Sequence, residues 1–431
     1  MEKEIKKEEY GSFEYIEGGV CAARGFKASG YYCGIKAFMQ TGPDGNESPV
    51  PGKKNDIALV VSDTVCNTAG VYTSNKVKGA PVIVTRRNLA ANGGKSKAVI
   101  VNSGNANTCN GDGEEKAVAM CELTAEKLGI APDLVIVAST GVIGQVLPLE
   151  PIKKAIDPLY ESLSYTGNVE AATAIMTTDT VKKEYAVTFT AGGKECRLGG
   201  MAKGSGMIHP NMATTLNFIT TDCAVSVEML RKALSDVVKV TYNCLSVDGD
   251  QSTNDTCMLM SNGLAENAEI NAEGEDYETF RAALYQVMAN LTRMLAKDGE
   301  GASRLVECKV KGAPDLDTAI IIAKSVIRSP LVKCAMYGAD ANCGRIMCAM
   351  GYAETDCDVT KADVYYISRA GKILVCENGL GLKFDEDKAK EILSEDEITI
   401  LCELHQGDAE ATAWGCDLTY DYVKINGDYR S

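Results

Sequence analysis

The chain has 431 residues, 45% hydrophobic and 24% charged, which fits a globular protein with ample core material and two to four domains at about 150 residues each. A net charge of −15 argues against a general binder of nucleic acid or anionic membrane, because both need a basic face. The charged opening "MEKEIKKEEYGSFEY" reads as no signal peptide, and no run reaches the roughly 18 apolar residues of a membrane span, so a cytoplasmic location is expected.

Short β-type runs come first: "DIALVVSD" from Asp56, "KAVIVNSG" from Lys97 and "LVIVAST" from Leu134. Several end in Ser, Thr, Asn or Gly, where chains turn out of a sheet. Between the last two, a helix is expected from about Glu114 to Leu128, stopped by Gly129. "YAVTFTAGGKECRLGG" reads as a hairpin pivoting on Gly192 and Gly193. Ser226 caps a second helix that faces Leu230, Leu234, Val237 and Val238 inward. Phe280, Leu284, Val287, Met288, Leu291 and Leu295 form one buried face of a third, with Asp276 as its N-cap. "YYISRAGKILVC" is a second hairpin, pivoting near Gly371. The mixture predicts α/β or α+β with antiparallel pairs in its sheets, not regular βαβαβ winding.

The 17 cysteines are scattered, odd in number and without a C-x-x-C, so they read as buried reduced thiols. The only histidines are His209 and His405, so the chemistry calls for a base other than imidazole. "NGGKS" lacks the first Gly of a phosphate-binding loop, and no G-x-G-x-x-G opens a helix after a strand. "DGDQSTND" at Asp248 has Thr253 where a calcium loop needs Gly and Leu259 where it needs a carboxylate; it reads as a turn with Asx-type bonds.

Polar, Gly-containing clusters remain, and "KGSGMIHPNMATTLNF", Lys203 to Phe218, is the longest. Two readings of it stand. One is an ordinary turn running into a strand. In the other, the chain is cut between Ala213 and Thr214 by an N-to-O acyl shift that water resolves. Thr214 then becomes a first residue whose own α-amine, with a pKa near 8, accepts its hydroxyl proton.

The segments "GFKASGYYCGIK", "NSGNANTCNGDG", "STGVIGQVLP", "AIMTTDT", "GGMAKGSGMIHPNMATTLNFITTD", "SVDGDQSTNDT", "KDGEGASRLVE", "SPLVKCAMYGADANCGRI" and "TAWGCDLTYDYVKINGDYRS" run from near residue 25 to the last. As a set they closely resemble the glutamate N-acetyltransferase / ornithine acetyltransferase family of arginine biosynthesis. The resemblance implies a layered α/β sandwich of mixed sheets between helices. It implies self-cleavage between Ala213 and Thr214 into an α chain, 1–213, and a β chain, 214–431, paired as a heterotetramer of two each. It implies ping-pong transfer of acetyl from N-acetylornithine to glutamate, with acetyl-CoA as a second donor in some members and no cofactor. Thr214 is then the nucleophile, and Thr140 and Gly141 form the oxyanion hole. Thr177, Lys203, Thr214, Glu300, Asn426 and Ser431 bind substrate, with Lys203 suited to an α-carboxylate and Glu300 to an amine. Thr215 stands where Met often follows the nucleophile. A self-cleaving amidase or aminopeptidase with an N-terminal Thr is the alternative; there water takes the acyl group.

Overall fold

Each early β-type run forms a strand in a computed structural model that describes residues 10–36, 54–209 and 215–427. β1 (Tyr15–Ile16) and β2 (Phe26–Tyr31) precede β3 (Ile57–Tyr72), β4 (Lys95–Asn105) and β5 (Val135–Val142). β6 (Lys183–Ala191) and β7 (Lys194–Lys203) form the expected hairpin, turning on Gly192 and Gly193 at φ of 57° and 71°. Glycine tolerates such left-handed positions because it has no Cβ to clash. β8 (Leu216–Thr221) follows, β9 (Leu245–Ser246) leaves for a second sheet, and β10 (Thr256–Ser261) returns to the first.

The first sheet runs β1–β6–β7–β8–β10–β3–β4–β5, with β2 also on β3. The β4–β5 and β8–β10 pairs are parallel and the rest antiparallel. β3 spans 16 residues because it serves two neighbourhoods. Its Ile57–Val61 half pairs with β2 and β4, and its Asn67–Tyr72 end pairs with β10. A register break between Val61 and Cys66 separates the halves, and Asp63, Thr64 and Val65 stand exposed there. Such a break bends the strand and lets it join the β4–β5 and β8–β10 parts of the sheet.

α1 (Ala80–Ala91), α2 (Gly113–Leu128) and α3 (Leu149–Glu161) pack with the β3–β5 part in a separate apolar cluster. α2 stops at Gly129, φ 64°, as expected. α4 (Asn168–Ala174) packs on β2 and β3. α5 (Val227–Val240) starts at the expected cap: Ser226 Oγ accepts the N–H of Met229 at 3.3 Å.

α6 (Glu275–Lys297) buries Phe280, Leu284, Val287, Met288, Leu291 and Leu295 completely. Each such side chain contributes roughly 1.5–3 kcal/mol. Its cap is Gly274, not the expected Asp276. Asp276 lies inside the first turn, where a carboxylate suits the helix dipole, and its side chain instead accepts the N–H of Gly192 at 2.8 Å.

The second sheet comes from β11 (Leu305–Ala313), β12 (Asp363–Ser368), β13 (Gly371–Glu377), β14 (Leu380–Gly381), β15 (Glu397–Glu403) and β16 (Ala409–Cys416). Its order is β14–β13–β12–β15–β11–β16–β9. α6 touches β6 and β7 of the first sheet and β11 and β16 of the second, so one continuous core spans both. α7 (Leu316–Arg328) covers β11 and β16. α8 (Pro330–Gly338), α9 (Cys343–Gly351), α10 (Glu386–Leu393) and α11 (Tyr420–Gly427) complete the described residues. Most cysteines on the strands, such as Cys66, Cys257, Cys308 and Cys402, are buried among apolar side chains.

Candidate active site

Three strand ends meet in one row of the first sheet. Lys203, the last residue of β7, pairs with Leu216, the first of β8, and Leu216 pairs with Thr256, the first of β10. A cavity opens at this row, and Thr140, Gly141, Lys203, Thr215 and Asp255 are among the residues lining it. Ala213 and Thr214, the expected cleavage pair, lie outside the described residues, as does Ser431.

Thr140 and Gly141 reach the cavity from the end of β5. Gly141 has φ 130°, and a Cβ on it would lie 2.2 Å from the carbonyl carbon of Gly104. The close approach of β4 therefore demands glycine here, a reason additional to the access of its N–H to a ligand. Asn254 fixes this arm from 115 residues away: its Nδ2 donates to Ser139 O at 2.9 Å and to Ala106 O at 2.6 Å. Its Oδ1 accepts the hydroxyls of Thr108 at 2.7 Å and Thr253 at 2.6 Å. The amide of Asn254 is thus satisfied at both ends while buried, which makes it a rigid brace.

Lys203 belongs to a buried network of charges. Asp179 accepts from Lys183 Nζ at 2.7 Å, Gly204 N at 2.7 Å and Thr177 N at 3.1 Å. Lys203 Nζ lies 3.7 Å from its other oxygen. Lys183 also reaches Asp298 at 2.6 Å, and Asp298 accepts the N–H of Thr180 at 3.0 Å. Burial opposes ionisation of Asp179, but Lys183 and Lys203 outweigh it and hold the carboxyl well below its ordinary range. Burial likewise opposes the charge on Lys183, and its two carboxylates outweigh that and raise its pKa. Thr177, expected to touch substrate, is tied by its backbone to Asp179 and is not among the residues lining the cavity.

Glu300 and Asn426 meet one another beside the same segment. Asn426 Nδ2 donates to Glu300 Oε2 at 2.8 Å, and the Glu300 N–H donates to Ser205 O at 3.0 Å. A Cβ on Gly206 would lie 2.3 Å from the Glu300 carboxylate, so the glycine makes room for it. Neither Glu300 nor Asn426 is among the lining residues, though their neighbour Gly206 is. Asp248 pins the stretch that follows, accepting the N–H of Met207 at 2.6 Å and of Ile208 at 2.9 Å. It also accepts the Asp250 N–H at 3.1 Å, the Asx-type bond expected of that turn. Thr215 is buried; its Oγ1 accepts from the Asn217 amide and its carbonyl from Thr256 N at 2.9 Å.

His209 sits behind this segment with Nδ1 3.0 Å from Ser246 Oγ. Burial, with Lys324 and Arg328 nearby, pushes its pKa down to about 4, so the ring is neutral at pH 7. Asp179, Lys183, Asp248, Asn254, Asp255 and Asp298 escaped notice as site residues. All but Lys183 stand in the quoted motifs "MTTDT", "SVDGDQSTNDT" and "KDGEGAS". Their residue types marked polar loops, and only the fold shows which partners they take.

The ArgJ family model matches residues 45–431. The arginine biosynthesis bifunctional protein ArgJ of Caldanaerobacter subterraneus subsp. tengcongensis is 47% identical over 419 residues, covering 97% of this chain and 100% of that protein. An arginine biosynthesis bifunctional protein ArgJ 1 of Clostridium acetobutylicum is 47% identical over 407 residues, covering 94% and 96%. Among solved structures, ornithine acetyltransferase from Mycobacterium tuberculosis, complexed with ornithine, is 35% identical with a TM-score of 0.40, and the match covers 47% of this chain and 100% of that one.

Proposed function

The chain belongs to the ArgJ family, and from that premise we propose that this acyltransferase of arginine biosynthesis moves acetyl from N2-acetyl-L-ornithine to L-glutamate through Thr214. The observation that carries the assignment of residues is the convergence of Thr140, Gly141 and Lys203 on one cavity where β8 begins, two residues after Thr214.

The precursor cuts itself between Ala213 and Thr214, giving chains 1–213 and 214–431 that assemble as two of each in the cytoplasm. The freed amine of Thr214 takes its hydroxyl proton. The hydroxyl attacks the acetyl carbon, and N–H or O–H donors from Thr140 and Gly141 meet the charge on the acetyl oxygen. Such donors are worth roughly 3–4 kcal/mol each. Ornithine leaves, and glutamate takes the acetyl group from the enzyme ester. Lys203 holds the α-carboxylate as a compact cation. Glu300, oriented by Asn426, holds the side-chain ammonium of ornithine, and Thr177 and Ser431 are further substrate contacts. Acetyl-CoA serves as a second acetyl donor to the same threonine.

Denaturing mass analysis of the purified protein should give two fragments, the second starting at Thr214. Thr214→Ala should give one uncut chain without transfer. Glutamate should accelerate ornithine release from N-acetylornithine and appear as N-acetylglutamate. Ornithine release indifferent to glutamate would mean hydrolysis, and an active, uncut T214A chain would remove Thr214 from the reaction.

A further inference from the structure

One group in the cavity is left without a task. Asp255 is 2% exposed, lines the same cavity as Thr140, Gly141 and Lys203, and its Oδ2 has no hydrogen-bond partner among the described residues. A buried carboxyl oxygen without a partner is costly and calls for an explanation. Its position is set by the sheet. β8 and β10 run parallel with Leu216 opposite Thr256, so Asp255 stands level with Thr215, the residue after Thr214. The Thr256 N–H bond to Thr215 O, 2.9 Å, fixes that register. Burial pushes the Asp255 pKa far up; Ser252 and Lys203 pull it the other way without restoring it. Burial therefore favours the protonated form of the carboxyl, and the residue that carries it lines a cavity already furnished with the Lys203 cation.

We propose that Asp255 is an acid–base residue of the transfer, giving a proton to the nitrogen that leaves and recovering it from the nitrogen that arrives. The proposal rests on Thr214 as nucleophile. In the first half-reaction the Oγ–acetyl bond forms and the acetyl–N bond breaks. The hydroxyl proton passes to the Thr214 amine, and the Asp255 proton passes to the departing nitrogen. Ornithine leaves as a neutral amine, and Asp255 is left as a carboxylate and the Thr214 amine as an ammonium. In the second half, glutamate attacks as a neutral amine. Its nitrogen returns one proton to Asp255, and the ammonium returns the other to Oγ. Both groups end as they began.

Two acetyl donors separate this role from a structural one. N-acetylornithine needs a proton on its leaving nitrogen; p-nitrophenyl acetate releases a phenolate that needs none. Asp255→Asn should lower kcat/KM for N-acetylornithine by about 10²–10⁴-fold and change acetylation by p-nitrophenyl acetate by no more than about threefold. Equal loss on both donors, or loss on neither, would overturn the assignment. Should D255N stay uncut, the comparison moves to D255E, which keeps an acid but displaces it. A loss confined to N-acetylornithine supports the role, and a uniform loss or none overturns it. A wild-type enzyme acetylated at Thr214 by neither donor would instead refute the nucleophile.

Discussion

Asp179 is a carboxylate held between two lysines in a space closed to water, and its removal should be felt well beyond one bond. With Asn at this position, Lys183 keeps one carboxylate, Asp298, beside the Val181 carbonyl, and Lys203 loses the Asp179 charge. Breaking a buried ion pair by removing one partner costs about 3–5 kcal/mol, so D179N should shift urea unfolding by that amount. The pH dependence has a definite sign. The folded-state pKa of Asp179 is depressed, so its contribution is present above the unfolded carboxylate value near 4 and is lost as pH falls below it. The pKa of Lys183 is raised, so its contribution is present below about 10.4 and is lost as pH rises beyond that. In D179N the acid limb of the stability curve should flatten, which denaturant midpoints from pH 6 down to pH 2 would measure.

In the proposed reaction the oxyanion donors stand at the end of β5, and the fit of that strand end against β4 makes it fragile. Gly141→Ala would set a Cβ against the Gly104 backbone at a φ that L side chains rarely adopt. The strand end must move, and the proposed oxyanion donors move with it. We expect kcat for acetyl transfer to fall about 10²–10³-fold. Ser226→Ala, at the start of α5 and away from the cavity, should cost about 1 kcal/mol in denaturant unfolding and leave kcat unchanged. This contrast marks what was legible from residue order. The Ser226 cap, the Gly129 stop and the Gly192–Gly193 turn are set by chemistry within a few residues, and each was readable. The Asp276 cap was misread because the β6–β7 turn, far off in sequence, recruits that side chain. Thr140, Gly141 and Lys203 could be placed by resemblance to a family. The Asn254 brace exists only once the loop before β10 meets the ends of β4 and β5, and the register of Asp255 only once β10 lies beside β8; no local pattern announces such pairings.

On the scale of the whole molecule, the proposed cut does not divide two bodies. The first sheet takes β1–β7 from residues before 213 and β8 and β10 from residues after it. β7 and β8 are adjacent and paired from Leu198–Thr221 to Lys203–Leu216. α6 then joins this sheet to the second within one core. Cleaved wild type and uncut T214A should therefore have the same native mass, and the two fragments should part only in the single transition that unfolds the core. Native and denaturing mass analysis together read this, and fragments that separate in buffer would contradict it. A timing rule follows from the pairing of β7 with β8. If scission is self-made, its geometry is assembled from strands that meet only after the chain has found its final topology. A misfolded copy would stay chemically silent, so maturation doubles as an inspection of the fold, passed once and recorded in a broken backbone.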